Sequence, residues 1–215
     1  MSPFGATPPP GISKLTSSDG SITLTPPSGK GRTVDLKAAS SGGGAMSLIS
    51  EIGPLAAPQA AFDFTNIPQT FSHLRLVVHG AATGAAAIYN FDHQFNGDVG
   101  NDYNSYGFYS LNGGAFTTIQ QVNLSAFVSA IGDCPGHTTP QGWGFQFVDI
   151  LNYTAALAKR DIWLVGGSYG GTDIAWDNAI GLWQPSVAAA ITRWRVFTNG
   201  GNFAAGSMCS LYGIS

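Results

Sequence analysis

Charge is scarce in this sequence. Charged residues occupy 10% of the 215 positions, and the net charge is −3, whereas soluble domains typically carry about 25% charged residues. No run of basic residues occurs in the chain. A mildly acidic chain without a basic patch lacks the electrostatic footprint of phosphate-backbone binding. We therefore expect no nucleic-acid partner.

Helical signals and long hydrophobic runs are also missing. The best helical stripe, AALAK at 155–159, makes about one turn. No apolar run approaches the roughly 20 residues of a membrane span. The first residues, MSPFGATPPPG, lack the basic flank and apolar centre of a signal peptide. We therefore expect no membrane partner and synthesis in a cytoplasm.

Cysteine is nearly absent. The two cysteines, Cys134 and Cys209, lie far apart in the chain and show no metal-ligand spacing. Because nothing indicates an oxidising compartment, unpaired or buried thiols are favoured over a disulfide. The sequence indicates no cofactor.

The chain does contain many glycines, aromatic residues and short alternating segments. Glycine occurs 29 times, and aromatic residues make up 12% of the chain. Turn signals such as NGD, NGG, GGSYGG and NGGN separate the strand candidates, because Gly and Asn tolerate positive φ. The candidates are 61–67, 73–80, 87–96, 106–111, 119–128, 143–151, 161–167, 191–198 and 207–214. Strands without crossover helices predict an all-β fold, an antiparallel jelly-roll-like β-sandwich over residues 46–215.

Residues 1–45 differ from the rest and predict an extended N-terminal arm with a short β-hairpin. The opening SPFGATPPPG is too rich in proline for a helix or a central strand. Alternation around Ile22 and Leu24, and again around Val34 and Leu36, predicts two strands joined by a Pro-Pro-Ser-Gly turn. A lone two-stranded hairpin is marginal in water, so it must pack on something else. The segment SSGGGA that ends the arm is typical of a flexible linker.

The stretch LVGGSYGG contains a possible catalytic motif. Gly166-Gly167-Ser168-Tyr169-Gly170 matches G-x-S-x-G, the nucleophile elbow of the α/β-hydrolases. The elbow needs a helix after the serine, but GTDIAWDNAIGLWQP follows. All four histidines precede Ser168, against the hydrolase order: His73, His79, His93 and His137. We therefore predict no enzyme, and a surface hairpin loop between the strands of Trp163 and Trp176, with Tyr169 at its tip.

Two groups of acidic residues are candidate metal-binding or catalytic sites. The loop FNGDVGNDYNSY offers the oxygen ligands that Ca²⁺ prefers, but it does not match the EF-hand spacing; its candidates are Asn96, Asp98, Asn101, Asp102 and Asn104. Asp173 and Asp177 have a spacing that could indicate the paired carboxylates of a glycosidase. Turns satisfied by Asx side chains and solvated loop acids are the favoured interpretations, so no metal is predicted.

Histidines and tryptophans offer two further alternatives. His79 and His93 lie on neighbouring strand candidates, with His73 close in sequence, and would hold a metal if they met at a symmetry axis. A satisfied or surface histidine is the favoured interpretation. The five tryptophans would line a sugar-binding face, or they would pack in the core or at a subunit interface, which is favoured because each alternates with apolar neighbours; they are Trp143, Trp163, Trp176, Trp183 and Trp194.

The C-terminal AITRWRVFTNGGNFAAGSMCSLYGIS (190–215), with FTNIPQTFSHLRLVVHG (64–80) and FNGDVGNDY (95–103), resembles the body domain of structural proteins on tailed-bacteriophage virions. That group includes head decoration or cement proteins, head fibres and tail-fibre modules. The segment LTSSDGSITLTPPSGKGRTVDLKA (15–38) resembles the short β-segments that precede such domains. The resemblance implies a jelly-roll-like body, usually trimeric, that an N-terminal arm attaches to the virion.

The leading expectation is a homotrimeric capsid decoration protein that binds the assembled shell. Its partners would be two further copies of itself and the major capsid protein or another virion protein, and it would be located on the virion after assembly in the host cytoplasm. The arm residues expected to make the attachment are Ile12, Leu15, Ile22, Leu24, Val34 and Leu36. The alternative is a fibre or spike adhesin that binds host-surface glycans through loop aromatics, namely Tyr103, Tyr106, Tyr169 and Trp176.

Overall fold

The computed structural model describes residues 23–25, 35–37, 45–85, 88–128, 134–135, 142–170 and 173–215. No helix occurs in these ranges. Their strands are β1 (Thr23–Thr25), β2 (Asp35–Lys37), β3 (Met46–Ile52), β4 (Ala61–Phe64), β5 (His73–Gly80), β6 (Ile88–Tyr89), β7 (Phe91–Phe95), β8 (Tyr103–Leu111), β9 (Thr117–Leu124), β10 (Phe127–Val128), β11 (Cys134–Pro135), β12 (Trp143–Leu151), β13 (Arg160–Gly170), β14 (Asp173–Trp183), β15 (Trp194–Thr198) and β16 (Met208–Ile214).

From β3 onward the strands form two main layers. One is an eight-stranded sheet of order β3-β16-β5-β12-β13-β14-β8-β9, and the other is a four-stranded sheet of order β10-β7-β15-β4. A small sheet pairs β6 with β11. All described pairings are antiparallel. The chain passes repeatedly from one large sheet to the other, as in a jelly roll. The predicted all-β, jelly-roll-like sandwich is confirmed.

Local sequence signals explain several elements directly. Two strand candidates, 73–80 and 143–151, coincide with β5 and β12. Between β8 and β9, Asn112 and Gly113 both take positive φ, at 53° and 71°. That pair of conformations is the one a type I′ turn requires, and Asn-Gly is the dipeptide that adopts it at least cost. The NGG turn signal is therefore confirmed.

The core lies between the two large sheets and is rich in aromatic rings. Phe95 of β7 packs between Trp183 of β14 and Trp194 of β15, with ring centroids 5.4 and 5.3 Å away. All three side chains are essentially inaccessible to water. Burying a large apolar side chain contributes roughly 1.5–3 kcal/mol to folding. Core packing is thus confirmed for two of the five tryptophans.

The N-terminal residues form a unit of their own. The chain divides into two compact units, residues 1–44 and 45–215. In the first unit β1 and β2 pair in antiparallel register, with Leu24 opposite Leu36, so the predicted strand pairing is present, and the predicted turn between them lies outside the described residues. Four of the predicted attachment residues lie outside the described residues: Ile12, Leu15, Ile22 and Val34.

Several strands depart from the candidate ranges, since β3, β11 and β14 lie outside them and β13 extends beyond its range. The G-x-S-x-G segment lies inside β13, which runs from Arg160 to Gly170, so the predicted loop position is wrong although β13 and β14 do form a hairpin. In the neighbouring strand β14, Gly181 allows the Phe127 ring to pack directly against the backbone, because a Cβ at this position would lie 2.3 Å from that ring. β3 also lies outside the predicted strands and pairs with the C-terminal strand β16.

Candidate functional site

The surface of the eight-stranded sheet that faces away from the four-stranded sheet is unusually apolar. Along β12, exposed and buried side chains alternate. The exposed set is Trp, Phe, Phe, Asp and Leu, whereas the buried set is Gly, Gln, Val and Ile. An antiparallel sheet with one solvated face ordinarily places its polar residues outward. On β12 the larger and more hydrophobic residues are the outward ones.

The same reversal extends across the neighbouring strands. Trp163 of β13 lies opposite Ile180 of β14, which lies opposite Tyr106 of β8. These three side chains form one row across the sheet. Eleven large hydrophobic side chains on β8, β12, β13 and β14 are between 36% and 58% exposed, and we call them the outer face: Tyr106, Phe108, Trp143, Phe145, Phe147, Leu151, Trp163, Tyr169, Ile174, Trp176 and Ile180.

Charge within this surface is paired internally. Arg75 of β5 and Asp149 of β12 form a two-point ion pair, with Nε to Oδ1 at 2.7 Å and Nη2 to Oδ2 at 2.6 Å. Asp149 is directly opposite Trp163 in the register, so the ion pair continues the same row of side chains. A bidentate arginine–carboxylate pair fixes geometry as well as neutralising charge. Asp161 at one margin is a further exposed carboxylate.

The outer face is ridged. Trp163 stands between a hollow of about 610 Å³, which Asp161, Leu151 and Ile180 also line, and one of about 210 Å³ beside Arg75 and Phe147. A third hollow of about 340 Å³ lies on the far side of Ile180, between it and the strands β8 and β9. Trp163 and Ile180 therefore project from the outer face, and the three hollows lie beside and between these two side chains.

Several of the exposed rings are held in place by neighbours. The Trp143 ring stacks on His79 with centroids 4.9 Å apart. Phe108 and Trp176 pack with Phe116, at centroid distances of 5.6–5.7 Å. Rings fixed in the free chain lose little conformational entropy on binding, which favours their use as contact residues.

The exposed side of the four-stranded sheet has the opposite character. Asp63, Arg195 and Gln94 lie in one row across β4, β15 and β7. Arg193 pairs with Asp63 through two hydrogen bonds of 2.8 and 2.5 Å, and Arg195 donates to Gln94 at 3.2 Å. Asp63 and Arg195 are partly exposed on this side, whereas Asp92 and Gln94 of β7 are buried, so the β4 and β15 part of this side is the part suited to water.

Between the sheets, the inward side of β12 and β7 carries a buried polar pair. The Trp194 indole donates to His93 Nδ1 at 3.0 Å, so His93 holds its proton on Nε2, which donates to Gln146 Oε1 at 2.5 Å. Burial lowers the pKa of His93 to about 4, with a smaller opposing effect from the hydrogen bond to Gln146. His93 is therefore neutral near pH 7 and serves to align the two sheets.

Asp92 is a buried acid whose pKa is strongly raised. It is 8% exposed, and its Oδ1 has no hydrogen-bond partner among the described residues. Burial raises the pKa of Asp92 to about 8. An isolated buried carboxylate takes up a proton because the charged form is poorly solvated. A single carboxyl group of this kind provides no catalytic partner on its own.

Ser168 is not placed as a nucleophile elbow would place it. The elbow requires a sharp turn between a strand and a helix, but Ser168 lies within β13 and is only 6% exposed. Its register partners are Gly144 and Ala175, neither of which is a base. The expectation of a surface loop is therefore corrected: Ser168 is a buried strand residue, and only Tyr169 beside it is exposed.

Asp98 of the first acidic group has a structural role, and Asp177 of the second group is buried. Both carboxylate oxygens of Asp98 are occupied, by the Trp183 indole at 2.7 Å and by the Gly100 amide at 2.8 Å, which is an Asx turn. Asp177 is fully buried, which corrects its interpretation as a solvated loop acid. Asp173 is the first residue of the same strand, four residues away.

Among the described histidines, His79 and His93 lie in different sheets. His79 belongs to the eight-stranded sheet and His93 to the four-stranded sheet, so the expectation of neighbouring strands is wrong. No group of three metal-ligating side chains occurs among the described residues. His137 lies outside them. Cys209 is a free thiol in the core, and burial raises its pKa well above the usual value.

The predicted ligand-contact residues separate into two groups. Tyr106, Tyr169 and Trp176 are exposed on the outer face, although on strands rather than in loops. Tyr103 is fully buried and accepts a hydrogen bond from the Phe95 amide at 2.9 Å, so its assignment to a contact loop is wrong. The sequence reasoning missed Phe145, Phe147 and Ile180, although the strict alternation in β12 was visible.

Comparison with known proteins finds no matching protein family, no similar curated protein and no similar solved structure. In the described part of the chain, no helix is long and apolar enough to cross a membrane.

Proposed function

We propose that this protein is a non-enzymatic structural component of a tailed-bacteriophage virion. In this proposal it is a homotrimeric capsid decoration protein that binds the assembled shell through its N-terminal arm. The observation that carries the proposal is the outer face. A protein that worked as a lone monomer would expose about 300–600 Å² of contiguous apolar surface at most, whereas an assembly component covers such a surface with its partners.

Two further features support the proposal. The N-terminal residues 1–44 form a unit separate from the body, as attachment by an arm requires. The sequence also resembles phage virion proteins, in residues 64–80, 95–103 and 190–215. The resemblance implies a jelly-roll-like body, and the chain folds as a β-sandwich with few charged residues.

The mechanism is stabilisation by mass action. A protein that binds only the assembled shell shifts the equilibrium towards that shell in proportion to its affinity and concentration. Three arms on one trimer raise the effective concentration of the second and third attachments. The body then needs no chemistry of its own.

Deletion of residues 1–44 tests the arm. We expect the body to remain folded and trimeric but to lose binding to expanded capsids in a co-sedimentation assay. The matched control is the full chain with Val187→Asp, a change at an exposed loop position outside the strands of the body. Capsid binding by the truncated body would contradict the assignment of the arm.

A glycan-binding adhesin is the second candidate, and one observation favours it. The 610 Å³ hollow places the Trp163 ring beside the carboxylates of Asp149 and Asp161, and sugars are commonly held by an aromatic platform with polar groups around it. Glycan-array binding by the full chain that is lost in Trp163→Ala or Trp176→Ala would favour this function. If no glycan on the array binds and the protein is a stable trimer, the function as a capsid decoration protein is favoured instead.

A further inference from the structure

The outer face is wide and apolar enough to need a partner of protein size. An aromatic side chain buries about 150–250 Å² when it is fully covered, so the 51% exposure of Trp163 corresponds to roughly 100 Å². The eleven side chains together expose on the order of 1,000 Å². A standard interface takes about 800 Å² from each partner. A single sugar or small ligand would cover only one hollow.

The charge on this surface suits an identical copy. Arg75 and Asp149 neutralise each other within one chain, so two such faces approach without repulsion between unpaired like charges near the centre. Asp161 lies at the margin, where solvent screens it. A strongly charged partner would find no complementary field here.

The apolar surface of a second copy is concentrated at the same place. Of the exposed large hydrophobic side chains on the described residues, those off the eight-stranded sheet and its β8–β9 loop are scattered singly: Val99, Leu157 and Val187. On the outward side of the four-stranded sheet, the partly exposed Asp63, Arg193 and Arg195 are charged. A copy that buries its outer face against apolar surface must therefore meet the outer face of its neighbour.

We propose that copies of this chain associate outer face to outer face, with Trp163 and Ile180 as the central contact residues. The inference rests on the proposed homotrimer for the number of copies. Eight strands spaced by about 4.8 Å make a sheet about 35 Å wide. Around a three-fold axis, that width lets the β5–β12 half contact one neighbour and the β14–β9 half contact the other. The projections Trp163 and Ile180 then enter hollows of the neighbouring faces.

Sedimentation velocity of the full chain tests this arrangement. We expect the wild type to sediment at three times the chain mass of 22.3 kDa. Ile180→Asp places an unpaired carboxylate at the centre of the contact and weakens association by roughly 100-fold or more, which gives a monomer. The control Val187→Asp, at a loop position that is 76% exposed and outside the strands of the outer face, stays trimeric. Far-ultraviolet circular dichroism verifies that each variant is folded.

The other outcomes separate the two proposals. A trimeric, folded Ile180→Asp overturns the outer-face contact but leaves the proposed function standing. A wild type that remains monomeric at every concentration overturns the homotrimer itself. Dissociation of both variants shows that the effect is not specific to this face and also overturns the inference. If Ile180→Asp does not fold, Trp163→Ser replaces it, because this change removes the main projection without adding charge, and a trimeric Trp163→Ser overturns the inference in the same way.

Discussion

The two outward surfaces of the sandwich are built on different rules. On the four-stranded sheet, the row of Asp63, Arg195 and Gln94 is polar and hydrogen-bonded. On the eight-stranded sheet, the corresponding positions hold the row of Trp163, Ile180 and Tyr106. Strands β4 and β15 alternate between buried and partly exposed residues much as β12 does, so strand periodicity alone does not cause the difference. The difference shows which surface is suited to water and which is suited to another protein.

The largest expected effect compares a core ring with an outer-face ring. Phe95→Ala should lower the free energy of unfolding by roughly 3–5 kcal/mol, because it leaves a cavity among Trp183 and Trp194. Phe147→Ala should cost less than about 1 kcal/mol in the dissociated chain, since its ring is 43% exposed there. Guanidinium unfolding at low protein concentration measures both.

Equal losses in the two variants would contradict the comparison, because they would mean that the outer face already contributes to the core of one chain. At a concentration that favours the trimer, Phe147→Ala should show a second loss that depends on protein concentration.

The pH dependence of stability separates His93 from Asp92. His93 has a folded pKa of about 4, below the unfolded value of 6.5, so its contribution is present above pH 6.5 and is lost as the pH falls to 4. Asp92 has a folded pKa of about 8, above 3.8. Its effect is reversed: stability is highest below pH 3.8 and is lost as the pH rises to 8.

These two slopes nearly cancel between pH 4 and pH 6.5, because each is about 1.4 kcal/mol per pH unit. Wild-type stability should therefore be flat in that range and fall by about 2 kcal/mol between pH 6.5 and pH 8. Asp92→Asn should remove the alkaline loss and reveal the acid loss of His93, about 3 kcal/mol from pH 6.5 to pH 4. Urea unfolding across this range measures both, and an Asp92→Asn profile that matches the wild type would show that Asp92 is not the titrating group.

The smallest expected effect concerns the polar surface of the four-stranded sheet. Asp63→Asn breaks the ion pair with Arg193, whose side chains are 35% and 42% exposed. Exposed pairs contribute at most about 1 kcal/mol and are screened by salt. We expect a small loss of stability at low ionic strength, none at high salt, and no change in association. A dissociated Asp63→Asn would place an interface on the wrong sheet.

Sequence patterns were sufficient to predict the fold class, but they could not predict which hydrophobic side chains would be exposed on the outer face. Alternation predicted β5 and β12 at their observed bounds, because strand periodicity depends on local residues alone. The same pattern cannot say which side of β12 meets the second sheet, since that depends on distant strands. Glycine misled for a similar reason. Gly167 belongs to the segment that was predicted to be a loop, but it lies in β13, where neighbouring atoms occupy the space of a Cβ.

The central claim is that other copies of this chain cover the outer face. Hydroxyl-radical footprinting of the full wild-type chain tests it directly, at low nanomolar and at micromolar concentrations. Oxidation of Trp163 and Tyr169 should fall steeply as the concentration rises, while oxidation of Val99 and Val187, which lie off the outer face, should stay constant. Equal oxidation of Trp163 at both concentrations, in a protein that sediments as a trimer at the higher one, would contradict the claim.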